Sequence, residues 1–133
     1  MSGAPDATAV RGALEQYYAD VEAGYYQAAV RIFTQDVLWT HVWSWTRRSD
    51  SNRLPNVDTC VGRDAVREWL ERVGPKANAS GILHTVRDLI LDGDHGVVVV
   101  DTASTAHARR GQFLVWIRLT EDGALHQYDM RPV

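Results

Sequence analysis

Cysteine, lysine and long apolar runs are what this sequence has least of. Cys60 is the only cysteine among 133 residues, which excludes an internal disulfide and fits a reducing compartment. Of the 14 Lys and Arg residues only Lys76 is lysine, a bias that suggests a high-GC bacterial source. No apolar run approaches the ~20 residues that a membrane span needs. The N-terminal residues Met1-Ser-Gly-Ala-Pro-Asp carry neither a basic nor an apolar export region, so no membrane association and a cytoplasmic location are expected. A net charge of −3 with scattered basic residues leaves no nucleic-acid footprint. No Cys/His cluster has metal-site spacing, and Asp88, Asp92 and Asp94 do not fit a calcium loop. Neither a metal nor a cofactor is expected.

What is present is enough apolar sequence for one core. Hydrophobic residues make up 45% of the chain, and the length predicts a single domain over residues 1–133. From Thr8 to about Thr34 the pattern is helical. Leu14, Tyr17, Tyr18, Val21 and Tyr25 form one apolar stripe, and Gly24 divides a first helix from a second. A tyrosine on such a stripe carries a hydroxyl into the interior, where it must find a partner or a ligand.

The stretch Asp36 to Trp45, Asp-Val-Leu-Trp-Thr-His-Val-Trp-Ser-Trp, is the richest in chemistry. As a strand it places Val37, Trp39, His41, Trp43 and Trp45 on one face. Imidazole titrates nearest neutrality, and walls of indole would let it exchange protons with a bound molecule rather than with water. The plain alternative is a packed strand with an inert, hydrogen-bonded histidine. Residues 46–60 are polar and broken and read as a long surface loop or lid. Gly62-Arg-Asp opens a further helix that Gly74-Pro75 should close, with Val66, Trp69 and Leu70 inward. From Gly81 the period changes to two. Strands are expected at about 82–91, 96–107, 112–119 and 124–132, joined by Asp92-Gly-Asp-His and Thr120-Glu-Asp-Gly turns. His107 and Arg109-Arg110 fall at a hairpin end, exposed to solvent or placed to hold an anionic group. Helices followed by a meander give an α+β domain, its helices packed on one face of a curved antiparallel sheet.

The series Leu14-Glu-Gln-Tyr-Tyr-Ala, Phe33-Thr-Gln-Asp-Val-Leu-Trp, Val61-Gly-Arg-Asp-Ala-Val-Arg-Glu-Trp-Leu and Leu91-Asp-Gly-Asp resembles the nuclear transport factor 2-like superfamily. Within it the chain looks most like the SnoaL-like branch of polyketide cyclases and ketosteroid isomerase relatives. The resemblance implies a cone-shaped barrel of curved antiparallel sheet against about three N-terminal helices, with an internal pocket, and a homodimer. It places His41 where ketosteroid isomerases carry a general-base aspartate, and Tyr17 where they carry the oxyanion-binding tyrosine. Their second donor falls near Val115, so a steroid isomerase is not implied. Asp129 is the nearest match to the late acid/base aspartate of SnoaL-like cyclases, although strand parity groups it with Gln127 and Arg131 rather than with Tyr128. A branch resembling scytalone dehydratase carries a histidine at the position of His84, paired with an acid for which Glu22 is the candidate.

The reading is then of a cofactor-independent acid/base enzyme that cyclises, isomerises or dehydrates a hydrophobic, oxygenated small molecule, in a setting such as antibiotic biosynthesis or other secondary metabolism. His41, Tyr17, His84 and Asp129 would be its catalytic residues, and Trp39, Trp43, Trp45, Tyr18 and Tyr128 would bind substrate. The alternative from another class is a non-catalytic carrier in which the tryptophans stack on a ligand.

Overall fold

A computed structural model describes residues 5–42 and 57–133. Trp43, Trp45 and residues 46–56 of the expected lid lie outside the described residues. Residues 57–60 of that lid are not loop: they belong to a strand.

Helix α1 runs Ala7–Ala23 and begins where the Asp6 carboxylate accepts the Thr8 backbone N–H, meeting an amide the helix leaves unpaired. Its inward stripe is Val10, Leu14, Tyr17 and Tyr18. Gly24 ends it in the left-handed conformation at φ 81, which glycine adopts without a Cβ penalty. That turn redirects the chain. Tyr25, expected on the inward stripe, is 65% exposed, and Tyr26 is buried instead at the start of the short helix α2, Tyr26–Ala29. A 3₁₀ turn at Val30–Ile32 leads into the sheet.

The strands are β1 Phe33–Val42, β2 Val57–Val61, β3 Ile82–Asp92, β4 His95–Ser104, β5 Arg109–Leu119 and β6 Leu125–Pro132. They form one sheet in the order β2-β1-β6-β5-β4-β3, α+β in class as expected. The sheet is curved but not closed into a barrel, since β2 and β3 are its two ends. It is also not wholly antiparallel: β1 and β6 run parallel. These strands are distant in sequence, so no tight turn forces them to oppose each other. Shifts of register in β3 at Val86/Asp88 and between β1 and β6 are of the kind that bends a strand. Arg11 on α1 donates to the Val86 carbonyl at 2.6 Å, tying the helix to the irregular part of β3.

Helix α3 runs Arg63–Ala79, past the Gly74-Pro75 pair expected to end it. Gly74 serves packing rather than termination: a Cβ there would lie 2.4 Å from the Tyr26 hydroxyl oxygen. Proline removes one backbone donor, yet the final turn is held by other means. Asn78 donates to the Val21 carbonyl at 2.9 Å and to the Tyr26 hydroxyl at 3.0 Å. At its start Arg63 donates to the Phe33 carbonyl. The helices thus cover one face of the sheet, over a core centred on Leu14, Phe33, Val37, Val98, Ile117 and Leu125.

Gly74→Ala should therefore destabilise the fold by about 1–3 kcal/mol, since overpacking against a buried ring outweighs the higher helix propensity of alanine. Denaturant titration checks this, and a stabilised variant would show that the Tyr26 ring yields readily.

Candidate active site

Alternation along β1 sends Val37, Trp39 and His41 toward the helices, while Leu38 points outward and is exposed. Tyr128 and Met130 on β6 and Phe113 on β5 are turned to the same side, and α1 contributes Tyr17, Tyr18 and Val21. Trp69, Leu70 and Val73 of α3 complete the wall. Between them lies a cavity of about 80 Å³. Apart from Asp129, and from Trp43 and Trp45 outside the described residues, every site residue expected from the sequence borders it.

Asp129 does not, and the reason is strand parity. Tyr128 and Met130 point inward, so Asp129 faces outward, where it accepts hydrogen bonds from Thr40 at 2.5 Å and from Arg131 at 2.9 Å. Its charge is spent on those neighbours.

The cavity is largely aromatic. Trp39 stacks on Tyr128 with ring centroids 5.9 Å apart and on His41 at 5.6 Å. Trp69 leans against both Trp39, at 4.9 Å, and His41, at 4.6 Å. Burial lowers the His41 pKa to about 4, opposed by the Asp58 carboxylate and reinforced by His84. His41 is therefore neutral at pH 7. A base whose pKa lies well below the working pH is a weak one, so this ring is better suited to hydrogen bonding than to abstracting a proton.

His84 has a different setting. A single oxygen of Glu22, Oε2, accepts both the His84 backbone N–H at 2.6 Å and the ring Nδ1–H at 2.9 Å. A carboxylate on one ring nitrogen fixes the tautomer, which leaves Nε2 as the nitrogen with a lone pair. Tyr18 stacks on the same ring, with centroids 4.9 Å apart and planes at 14°. The ring is thus held on an edge and a face. Glu22 was legible in the sequence as the acid partner only through the dehydratase resemblance; the last turn of α1 brings it opposite the first residues of β3.

Two phenols stand beside this pair. The Tyr18 and Tyr128 hydroxyl oxygens are 2.8 Å apart, one donating to the other. Burial raises the pKa values of Tyr17, Tyr18 and Tyr128, so all three remain protonated donors. For Tyr17 the nearby Trp39 indole N–H opposes that rise, short of hydrogen-bond geometry.

Sequence reasoning missed Thr102. It pairs with His84 across β3 and β4, lines the cavity, and its buried hydroxyl has no hydrogen-bond partner among the described residues. The inward face of β4 runs Val98, Val100, Thr102, Ser104. That change from aliphatic to hydroxyl marks where packed core gives way to a cavity, and it was available as a signal. No group of three or more His, Cys, Asp or Glu among the described residues is placed to hold a metal.

The sequence profile of the SnoaL-like domain matches residues 14–128. The chain belongs to the SnoaL-like domain family. No curated protein matches it by sequence. Among solved structures it is similar to SalBIII, an epoxide hydrolase/cyclase-like enzyme of pyran ring formation in polyether salinomycin, with TM-score 0.61 and 17% identity over 96% of this chain and 98% of that one. It is similar also to a ketosteroid isomerase candidate from Kribbella flavida DSM 17836, with TM-score 0.60 and 15% identity over 91% of this chain and 75% of that one. A de novo designed protein with a curved β-sheet matches at TM-score 0.66 and 15% identity, covering 97% and 88%. That a designed chain matches as well as an enzyme shows that these likenesses carry the fold alone. The chemistry rests on the SnoaL-like cavity itself.

The depressed His41 pKa has a thermodynamic consequence. The folded protein resists protonation of this ring down to about pH 4, whereas the unfolded chain takes the proton near 6.5. Between these values the unfolded state binds more protons, so stability falls as pH is lowered through that window. His41→Gln is expected to flatten this part of the stability curve, measured by urea titration at several pH values. An unchanged slope would mean that the His41 ring is open to water.

Proposed function

We propose that this SnoaL-like protein is a cofactor-independent acid/base enzyme acting on a hydrophobic, oxygenated small molecule, and that His84, rather than His41, moves the proton. The observation that supports this most directly is that His84, in the wall of an aromatic cavity, is held from behind by Glu22. Held by the carboxylate, Nε2 of His84 can take a proton from a carbon next to a carbonyl, and the resulting imidazolium is stabilised by Glu22 and can return the proton to a leaving hydroxyl or to another carbon. Proton loss and return at two such positions is the common core of isomerisation, dehydration and cyclisation.

The enolate formed by proton loss needs a donor. The neutral Tyr18–Tyr128 pair supplies a hydroxyl in a site with little water, where an oriented donor acts most strongly. Tyr17 and the unpartnered Thr102 hydroxyl are further donors for the substrate's oxygens. Neutral His41, between the Trp39 and Trp69 indoles, orients the substrate by hydrogen bonding, and the aromatic walls favour an apolar skeleton.

The competing carrier reading predicts binding without change in the ligand. Incubation in deuterated buffer with a panel of polycyclic and polyketide-like ketones, followed by mass spectrometry and NMR, separates the two. Deuterium uptake or rearrangement is expected with the wild type and with His41→Gln, falling by about 10²–10⁴-fold in His84→Ala. Glu22→Gln, which keeps the shape but loses the charge, should slow turnover and displace its pH profile. Exchange that survives in His84→Ala but is lost in His41→Gln would overturn the assignment. Tight binding of the ketones without any exchange would favour the carrier.

A further inference from the structure

The inner cavity is too small for the substrate proposed above. Ligand pockets usually measure about 300–1,000 Å³, against about 80 Å³ here. A second hollow of about 470 Å³ adjoins it, and Val73, Ala77 and Ile82 border both. A ligand that reaches His84 and exceeds the inner cavity must therefore lie partly in this outer hollow.

The outer hollow differs sharply in character. Arg72 and Lys76 stand on α3, one turn apart, and His107 and Arg109 come from the β4–β5 turn and the start of β5. No carboxylate among the described residues lines it, although the chain as a whole carries a net charge of −3. Of the nearby acids, Glu71 and Asp101 have ion pairs with Arg67 and Arg87, while Asp58 on β2 lies close enough to Cys60 to act on it together with Arg72 and offsets part of that charge. None of the four basic residues has an ion pair among the described residues. Cations that outnumber the acids around a concave wall attract and concentrate an anion.

Strand register shows how this charge relates to the chemistry. His84 pairs with Thr102, while Ile82 pairs with Ser104 and Ser104 with Arg109. The two rungs are separated by two residues along each strand, about 7 Å. Arg109 shares the inward face of β5 with Phe113, whereas Arg110 is turned to the other face. The charge is thus set one rung beyond the proton-transferring histidine, on the same side of the sheet.

We infer that the outer hollow binds an anionic oxygen group, carboxylate or phosphate, on the same molecule whose apolar part enters the cavity beside His84. The substrate class is then an amphipathic anion: a flat apolar skeleton with its reactive carbon at His84 and its charge at Arg72, Lys76 and Arg109, a ring's width or so away. Ser80 and Ser104, which border the hollow, add polar wall between the two regions. This rests on the cavity being the substrate site, as proposed above.

Calorimetric titration of the whole protein with 2-naphthoate, 2-naphthyl phosphate and the neutral ketone 2-acetylnaphthalene tests it. At low salt at least one anion should bind roughly tenfold more tightly than the ketone, and whichever is favoured identifies the group. That advantage should fall by about tenfold in Arg72→Gln/Arg109→Gln and shrink with added salt, while Arg110→Gln leaves it intact. All three positions are exposed, and circular dichroism checks that the variants fold. Equal affinity for ketone and anions would overturn the inference while leaving the cavity reading standing. So would an advantage that persists in the double variant or that Arg110→Gln removes equally. Failure of all three probes to bind would overturn the cavity reading and this inference together.

Discussion

One carboxylate oxygen organises the functional half of this molecule. Glu22 Oε2 accepts two hydrogen bonds from a single residue, the backbone and ring N–H groups of His84, and so joins the last turn of α1 to the first strand of the meander. Hydrogen bonds to an ionised acceptor are stronger than neutral ones, and the half-buried Glu22 carboxylate gains two of them from one residue. The same contact that anchors helix to sheet also selects the tautomer of the ring and its orientation. Fold and chemistry therefore depend on one contact, which explains why the aromatic residues are arranged around it: Tyr18 covers the ring's face, and Tyr128 holds the Tyr18 hydroxyl in turn.

The two histidines of the cavity show how environment separates residues of one type into different roles. His41 sits among indoles, and loss of hydration keeps it neutral. His84 has a carboxylate against it and lies at the edge toward the outer hollow. The second arrangement offers a positive charge on the ring a carboxylate partner. Sequence pattern alone favours His41, because it stands in a conspicuous row of tryptophans, and the same row is what makes it a poor base.

Much of the architecture was legible in the sequence. The apolar stripe of α1 and the period-two runs after Gly81 correspond to helix and strands within a few residues, since each signal comes from a face that must be buried. The errors have local causes. Gly74-Pro75 reads as a stop, but here glycine makes room for Tyr26 and Asn78 holds the turn that follows. Residues 57–60 read as loop because their pattern is short, and they become part of a strand by pairing with β1. Asp129 was suggested by position in a family, whereas the alternation of β6 only set it apart from Tyr128, without saying which of the two faces inward. Thr102 was marked only by the change from valine to hydroxyl along the inward face of β4, and a hydroxyl there becomes a site only when its neighbours leave space.

The parallel contact between β1 and β6 has a consequence for how this chain is made. The sheet consists of a β2-β1 pair and a β5-β4-β3 meander, and β6 alone joins them. During synthesis the meander can form from adjacent hairpins as each strand emerges, whereas β1, made much earlier, has no place in the sheet until residues 125–132 are available. Through that interval the Trp39 face has no partner strand on the β6 side. Such long-range pairing closes slowly, so the Trp39 face stays open to other chains until β6, the last strand of this sheet, completes the cavity.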